Sequence, residues 1–205
     1  MDKDLHPTFV IMKMPIVTPR LIIRPLRVDD AAHIAAVTDE TWDDLRQWLR
    51  WAQDRARMTD IDTCRFYAQK CHDDFLDIRD FTFAGFVKET GDFALISRLS
   101  FAEEALAYEF GGYWCRKKYQ GNGYVGEAVN AIARYAAATF NAQSFRITHA
   151  AGHVKTRAII DRLGFEEIEI RPQAHILPDG SVTDEHVLLL RDIQKLPPLA
   201  VTYGG

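Results

Sequence analysis

Hydrophobic positions in the first eighty residues predict one short strand followed by helices. The apolar run LIIRPL is ended by Pro25, because proline cannot donate to a sheet ladder. Asp29 and Asp30 stand where a helix N-cap is expected, ahead of apolar residues at helical spacing. We expect a second helix around residues 42–49 and a third over residues 60–79, whose apolar positions share one face.

The pattern then changes to the short apolar runs of a sheet. Residues 81–100 predict a hairpin, and residues 107–115 predict the next strand. The later elements expected are a helix over 124–140, a strand over 144–150, a helix over 155–163 and a closing hairpin around Pro178-Asp179-Gly180. The expected fold is α+β, with a mixed, mostly antiparallel sheet of about seven strands flanked by helices.

Composition indicates a single domain that spans residues 1–205. With 47% hydrophobic residues the chain can bury one sizeable core, and no Pro/Gly/Ser-rich segment divides it. A net charge of -4 supplies no global positive field for nucleic acid. We expect a cytoplasmic protein without membrane partners, because there is neither a signal-like N-terminus nor an apolar stretch of membrane-spanning length. The three cysteines lack metal-type spacing and are expected to be buried free thiols.

Residues 120–126, here called the glycine loop, join a predicted strand to a predicted helix. Their glycines allow the backbone to bend close to a ligand, and the first N–H groups of a helix have no partner within it. The helix dipole and three preceding cations, Arg116, Lys117 and Lys118, favour an anion at this place. The loop therefore predicts a phosphate site, although a tight turn without a ligand would use the same residues.

The glycines at 121, 123 and 126 also match the fingerprint of NAD-binding Rossmann units. Such a unit needs an acidic residue about twenty positions further on. No Asp or Glu occurs between Glu127 and Asp161, and the preceding strands are predicted as hairpins rather than as part of a parallel βαβ unit. A P-loop is excluded as well, since no Gly-Lys-Ser or Gly-Lys-Thr follows.

Several motifs together resemble the GNAT superfamily of N-acetyltransferases. They are Gln120-x-x-Gly123-x-Val125, the preceding GGYW strand and the Leu163-Gly164-Phe165 helix end. The runs TPRLIIRPL, Leu45-x-x-Trp48-Leu49-x-Trp51 and GYVGEA look like the RimJ/RimL-type branch, which acetylates protein N-terminal amines. The resemblance covers roughly residues 16–192, and it implies the GNAT fold, with central strands that splay apart, and acetyl-CoA as cofactor.

The resemblance also implies which residues meet the cofactor. Main-chain N–H groups of the glycine loop would hold the pyrophosphate, and one near Cys115 would polarise the thioester carbonyl. The family's Asn-x-x-Ser motif falls on His153-x-x-Thr156, so a histidine replaces the asparagine. The expected cofactor-binding residues are Trp114, Cys115, Arg116, Lys118, Gln120, Gly121, Asn122, Gly123, Tyr124, Val125, Gly126, His153 and Thr156.

Two residues are the candidates for catalysis. Thr156 would bond or protonate the leaving thiolate, or it would only cap the helix that follows. In RimL-like sequences a carboxylate base aligns with residues 174–177, where this chain has His175. An imidazole titrates near neutrality, so His175 is the candidate base and an acceptor-binding residue, with a histidine of no catalytic meaning as the alternative. Because the family transfers the acetyl group directly, Cys115 is not expected to be a nucleophile.

The resemblance implies a primary amine as acceptor, most directly a protein N-terminal α-amine. A small amine such as an antibiotic, polyamine or amino acid, and a non-catalytic acyl-CoA-binding sensor, are the open alternatives. Trp42, Trp48 and Trp51 are candidates to wall the acceptor cleft, although aromatic residues at helical spacing also fill cores. No metal is expected, since His149 and His153 lack a third ligand at a suitable spacing, and both monomer and homodimer are left open.

Overall fold

The computed structural model describes residues 12–204, whose strands form one nine-stranded sheet. The strands are β1 (Ile16–Val17), β2 (Leu21–Pro25), β3 (Phe81–Val87), β4 (Phe93–Phe101), β5 (Ala107–Cys115), β6 (Ser144–Ala150), β7 (Glu166–Ile176), β8 (Val182–Leu190) and β9 (Thr202–Tyr203). Their order across the sheet is β7-β8-β6-β5-β4-β3-β2-β1-β9. Only β5 and β6 pair in parallel, so the prediction of a mixed, mostly antiparallel α+β fold is confirmed.

The described α-helices are α1 (Ala31–Trp48), α2 (Arg55–Met58), α3 (Ile61–Leu76), α4 (Tyr124–Phe140) and α5 (Val154–Arg162). Because α1 is continuous, the prediction of a separate second helix around residues 42–49 was wrong. The centre of α1 is polar, but the helix contains no glycine or proline that would interrupt it there. Within residues 12–204, no helix is both long enough and apolar enough to cross a bilayer.

Two short strands raise the strand number above the seven or so that the sequence predicts. β1 pairs with β2 on one side and with β9 on the other, where Ile16 lies opposite Ile23 and Tyr203 respectively. Each of these strands has two residues. Alternation cannot be recognised over so short a segment, and β9 reaches its place only through long-range pairing.

Helices cover both faces of the sheet. On one face, α4 buries Val129, Ile132 and Tyr135 completely against apolar side chains of the strands. On the other face, α1 and α3 pack on the sheet, with Ile34 and Phe93 in the same buried cluster. The core therefore has two layers, and α1 and α4 lie on opposite sides of the strands.

The sheet opens between its two parallel strands. β5 pairs with β6 only over residues Ala107 to Phe110. Beyond this segment β5 continues against β4 as far as Cys115, while β6 continues against β8 as far as Ala150. The two strands splay, so the prediction of splayed central strands is confirmed, and a gap opens between them.

A β-bulge lies in β5 where the gap begins. Arg98 of β4 lies opposite Gly112, but the next residue, Leu99, lies opposite Phe110, so Gly111 is an extra residue. Gly112 has a φ of 139°, a conformation that residues with a side chain rarely adopt. The two consecutive glycines thus supply the backbone freedom that the bulge needs.

The bulge changes which side chains face α4. Before it, Tyr108 and Phe110 point into the core beneath α4. After it, Tyr113 and Cys115 point to that side, and Trp114 packs on the side of α1. Without the extra residue the alternation of a strand would place Trp114 on the α4 side instead.

Gly112→Ala is expected to lower the free energy of unfolding by about 1–3 kcal/mol, because the added Cβ forces strained backbone at the bulge. Among the described residues, no atom beyond the chain neighbours of Gly112 lies within 4 Å of the place that the new Cβ would take, so the cost is conformational rather than steric. Chemical denaturation measures it. Gly111→Ala is the matched control, since its φ is not in the left-handed region and the atoms nearest to a Cβ there belong to the flexible side chain of Arg98. Equal losses in the two variants would contradict this assignment of the strain.

Candidate active site

A cleft of about 440 Å³ lies at the end of β5, beyond the segment that pairs with β6. The end of α1, the end of β5, the glycine loop and the start of α5 line it. Ten of the thirteen residues that the sequence suggests for a cofactor lie on its walls: Trp114, Cys115, Gln120, Gly121, Gly123, Tyr124, Val125, Gly126, His153 and Thr156. The structure thus brings the glycine loop and the His153-x-x-Thr156 motif together in one cavity.

The glycine loop exposes a run of free backbone donors. Gly121 and Gly123 both have a φ of 78°, which turns the chain sharply into α4. The N–H groups from Gly121 to Gly126 donate no hydrogen bond to another described residue. The first N–H group that does donate is that of Glu127, whose nitrogen lies 3.1 Å from the Gly123 oxygen. Free N–H groups at the positive end of a 17-residue helix form a site for an anion.

An ionic brace holds the outer side of this loop. Arg20 donates through Nη1 to the Asn122 oxygen (2.8 Å) and through Nε to Glu127 Oε2 (2.6 Å). The Thr18 hydroxyl donates to Glu127 Oε1 (2.6 Å). The Glu127 carboxylate, only 7% exposed, is therefore occupied in tying the start of β2 to α4. Asn122 faces this brace and does not line the cleft.

Two cations that the sequence suggested for the cofactor are paired with carboxylates. Arg116 Nε lies 2.7 Å from Glu40 Oε2, and Lys118 Nζ lies 2.8 Å from Asp92 Oδ2. Neither cation lines the cleft. Their partners are distant in sequence, so no local pattern reveals the pairing.

Lys155 and Arg162, both on α5, are the cations that do line the cleft. Lys155 Nζ donates to Gln120 Oε1 at 3.3 Å, and the Gln120 amide nitrogen donates to Asp44 Oδ2 at 2.9 Å. The Gln120 side chain therefore links α5 to α1 across the cleft. Sequence reasoning missed Lys155 and Arg162, whose positions on one helix face beside the His153 motif are the signal that could have found them.

His153 caps α5 and contacts the end of α1. Its Nδ1 accepts the Thr156 N–H at 3.2 Å, and its Nε2 lies 3.4 Å from the Thr156 hydroxyl oxygen. Burial lowers the pKa of His153 to about 4, and its ring lies 4.2 Å from the Trp48 ring, centroid to centroid. The imidazole is neutral at pH 7, with Nδ1 as acceptor, so Nε2 carries the proton and points toward the Thr156 hydroxyl.

The three candidate tryptophans occupy different environments. Trp48 lines the cleft beside His153. Trp42 is buried in a small core with Leu45 and Ala52 and does not reach the cleft, whereas Trp51 is 42% exposed. Of the three, only Trp48 is placed to contact a ligand in this cleft.

His175 lies on β7, outside the set of cleft-lining residues. Its Nδ1 is 3.5 Å from Glu185 Oε1 on the neighbouring strand β8, and its side chain is 24% exposed. The structure therefore does not bring His175 together with the residues that line the cleft.

Residues 20–166 match the family model described as the acetyltransferase (GNAT) domain. The chain belongs to the GNAT acetyltransferase family. It is therefore an acetyl-CoA-dependent acyltransferase. No match is found among the sequences of curated proteins.

Solved structures agree with this GNAT fold. Mycobacterium smegmatis RimJ in complex with CoA-disulfide has a TM-score of 0.79 at 18% identity, with 95% of this chain and 93% of that chain covered. Ribosomal-protein-S5-alanine acetyltransferase from Vibrio fischeri has a TM-score of 0.78 at 16% identity, with 90% and 100% covered. Microcin C7 self immunity acetyltransferase MccE in complex with acetyl-CoA and AMP has a TM-score of 0.76 at 16% identity, with 85% and 93% covered.

The cleft of this GNAT domain fits acetyl-CoA. The free N–H groups of the glycine loop suit a pyrophosphate, and no described atom beyond the chain neighbours of Gly121 lies within 4 Å of a Cβ built there. Apolar side chains such as Val125 and Ile159 line the neighbouring wall. Within residues 12–204, no group of three or more His, Cys, Asp or Glu side chains is arranged to hold a metal ion.

Cys115 is buried in the wall of the cleft. Burial raises the pKa of its thiol to about 12, and Sγ lies 3.6 Å from the Arg116 oxygen. At neutral pH the thiol is protonated, and a protonated thiol is a poor nucleophile. This environment favours a packing role for the side chain of Cys115.

The protonation of His153 predicts how stability depends on pH. Between about pH 6.5 and 4 the unfolded histidine binds a proton that the folded one rejects, so stability falls as the pH decreases through this range. His153→Asn retains a side-chain cap but cannot titrate. We expect the wild type to lose about 1–3 kcal/mol relative to His153→Asn over this window. Urea denaturation at a series of pH values measures the difference. If the free energy of unfolding depends on pH in the same way in both proteins, the lowered pKa of His153 is contradicted.

Proposed function

We propose that this GNAT domain transfers the acetyl group of acetyl-CoA directly to a primary amine, and that the acceptor is a protein N-terminal α-amine. The observation that carries the proposal is the continuity of the cleft. It runs from the free N–H groups of the glycine loop to Thr156 and the splayed end of β5. A donor bound at the glycine loop would thus have its thioester at the gap in the sheet.

The charges around the cleft support an N-terminal amine over a polyamine. Of the acidic residues of α1, Asp39 pairs with Arg55 and Glu40 pairs with Arg116, and Asp43 does not line the cleft. Asp44 lines the cleft, but its carboxylate accepts the Gln120 amide. The described walls carry no cluster of free carboxylates, and a polycation would need one to offset its lost hydration.

The backbone of β5 would polarise the thioester. Arg116 N–H donates to the Ala94 oxygen on β4 at 2.7 Å, so by alternation the N–H of Cys115 points away from β4. The Cys115 oxygen also faces away from β4, since it accepts from Gln120 Nε2 at 3.3 Å. The Cys115 N–H would therefore donate to the carbonyl oxygen as it gains negative charge during attack by the amine.

His175 would remove the proton from the attacking amine, either directly or through one water. Glu185 would orient it, since Glu185 Oε1 lies 3.5 Å from His175 Nδ1, and no described residue is hydrogen-bonded to Nε2. A carboxylate beside one ring nitrogen fixes the orientation of an imidazole, so that the other nitrogen can act as the base.

His175→Ala is expected to lower kcat by about 10²–10⁴-fold, the usual contribution of a general base, while the Kd for acetyl-CoA stays unchanged. Thiol release from acetyl-CoA over a panel of N-terminal peptides and small amines measures turnover, and calorimetry measures binding. His186→Ala is the matched control. It removes another histidine of the β7–β8 hairpin, which pairs with Glu167 at 2.7 Å.

The panel also decides the acceptor class. Turnover on N-terminal peptides supports the proposal, whereas turnover on small amines alone makes the protein a small-amine acetyltransferase. Tight acetyl-CoA binding with no turnover on any amine would point to an acyl-CoA sensor. Equal loss of activity in His175→Ala and His186→Ala would contradict the role of His175 as the general base.

Lys155→Met is expected to weaken acetyl-CoA binding by about tenfold, because Lys155 lines the cleft near the proposed phosphate site. The loss should shrink as salt is raised, since salt screens an exposed charge. Lys118→Met removes an equal charge that is already paired with Asp92, so its effect should stay within about twofold. Calorimetry at two salt concentrations measures both variants. A larger loss of acetyl-CoA affinity in Lys118→Met than in Lys155→Met would support Lys118 as the cofactor-binding cation, as the sequence suggested.

A further inference from the structure

The segment from Arg46 to Arg57, here called the basic corner, carries an excess of positive charge beside the cleft. It holds four arginines and one aspartate, whereas the whole chain has a formal charge of -4. Arg46 and Arg50 flank residues 47–49, which line the cleft. The local positive charge therefore lies at the rim that the end of α1 contributes to the cleft.

Most of this charge is not neutralised by the protein itself. Arg55 is held on α1, since its Nε lies 2.7 Å from Asp39 Oδ1. Asp54, the carboxylate of the segment, caps α2 by accepting the N–H of Arg57 at 3.1 Å. Three exposed arginines of the basic corner form no ion pair with another described residue: Arg46, Arg50 and Arg57.

An exposed tryptophan lies among these cations. Trp51 directly follows Arg50 and is 42% exposed, whereas Trp42 is buried with Leu45. Tryptophan and arginine are the residue types that most often supply the binding free energy of protein interfaces. The dipole of α1 favours cations near the end of that helix, but it gives no reason for an exposed indole or for Arg57 on α2.

We infer that the basic corner binds an acidic segment of the acceptor protein, a few residues after the N-terminus that is acetylated. This inference rests on the proposed function, in which a protein N-terminal amine enters the cleft. An extended chain advances roughly 3.5 Å per residue, so a segment that leaves the cleft over residues 47–49 soon passes the guanidinium groups. Carboxylates in that segment would pair with them, and guanidinium groups hold carboxylates through two parallel hydrogen bonds.

An acidic polypeptide fits this surface better than a nucleic acid does. A nucleic acid carries charge along its whole backbone and needs a basic surface of comparable length. Here the positive surface is short, because the residues of α1 that precede Arg46 include four acids: Asp39, Glu40, Asp43 and Asp44. A brief run of carboxylates would meet the basic corner without reaching these acids.

The test reverses the charge of the basic corner in Arg46→Glu/Arg50→Glu. The matched control is Lys88→Glu/Arg191→Glu, which alters the net charge equally at two exposed cations that form no ion pair with another described residue. Arg46→Gln/Arg50→Gln removes the charges without placing carboxylates near the negative end of α1, so it guards against a loss of folding. It should show a smaller effect in the same direction.

The first readout is binding and needs no turnover. Two peptides share their N-terminal residues and then continue with glutamates or with glutamines, and fluorescence anisotropy measures their Kd for each full-length protein in the presence of CoA. Arg46→Glu/Arg50→Glu is expected to raise the Kd of the glutamate peptide by about 10- to 100-fold and to change that of the glutamine peptide by less than about twofold. The difference should shrink as salt is raised, and the control variant should leave both values unchanged.

The second readout is kcat/KM on the same two peptides. The wild type should prefer the glutamate peptide, and Arg46→Glu/Arg50→Glu should lose this preference while its Kd for acetyl-CoA stays unchanged. Equal affinity of the wild type for the two peptides, equal losses in the two charge-reversed variants, or weakened acetyl-CoA binding would overturn the inference. Tighter binding of a single-stranded oligonucleotide of equal charge, lost in the same variant, would also overturn it. If the wild type turns over no amine, the proposed function fails, and peptide binding still decides the partner of the basic corner.

Discussion

The parting of β5 from β6 is the constraint on which the rest of the site depends. Parallel strands normally share a continuous ladder, yet these two pair only from Ala107 to Phe110 in β5 and then follow different neighbours. Beyond that point their facing edges need other partners, because buried backbone groups rarely stay unpaired. The cleft, the start of α4 and the start of α5 all lie beside this gap. A ligand with its own acceptors fits there as a substitute for the missing ladder.

Local dipoles, rather than net charge, create the anion site. The chain carries a formal charge of -4, and Arg116 and Lys118 are paired with carboxylates. What faces the cleft is a run of free N–H groups at the start of α4, held in place on the opposite side by the contacts of Arg20 and Glu127. Such donors are fixed by the backbone and need no side-chain ordering when an anion binds, so the recognition is built into the fold.

Local patterns predicted α3, α4, α5, the hairpins and the glycine loop because each depends on a few neighbouring residues, whereas the division of α1 into two helices was wrong. Features set by distant contacts were not predictable. The Glu40 partner of Arg116 is far away in the sequence. The spacing of Trp42 did not show whether it faces the cleft or the core, and the packing of α1 buries it with Leu45 and Ala52. Tyr113, which lines the cleft, was not among the predicted residues for another reason. Strand prediction assumes a period of two, and the extra residue at Gly111 reverses the side on which Tyr113 lies.

The histidine at position 153, where the resemblance to the family implies an asparagine, is a small change in hydrogen-bonding capacity. A neutral imidazole with its proton on Nε2 offers one acceptor and one donor, as the two ends of a side-chain amide do. Here Nδ1 accepts the Thr156 N–H, and Nε2 faces the Thr156 oxygen. Burial keeps the ring neutral by lowering its pKa to about 4, so this pattern persists at neutral pH. The low dielectric around Trp48 and His153 is therefore what allows an imidazole to replace an amide.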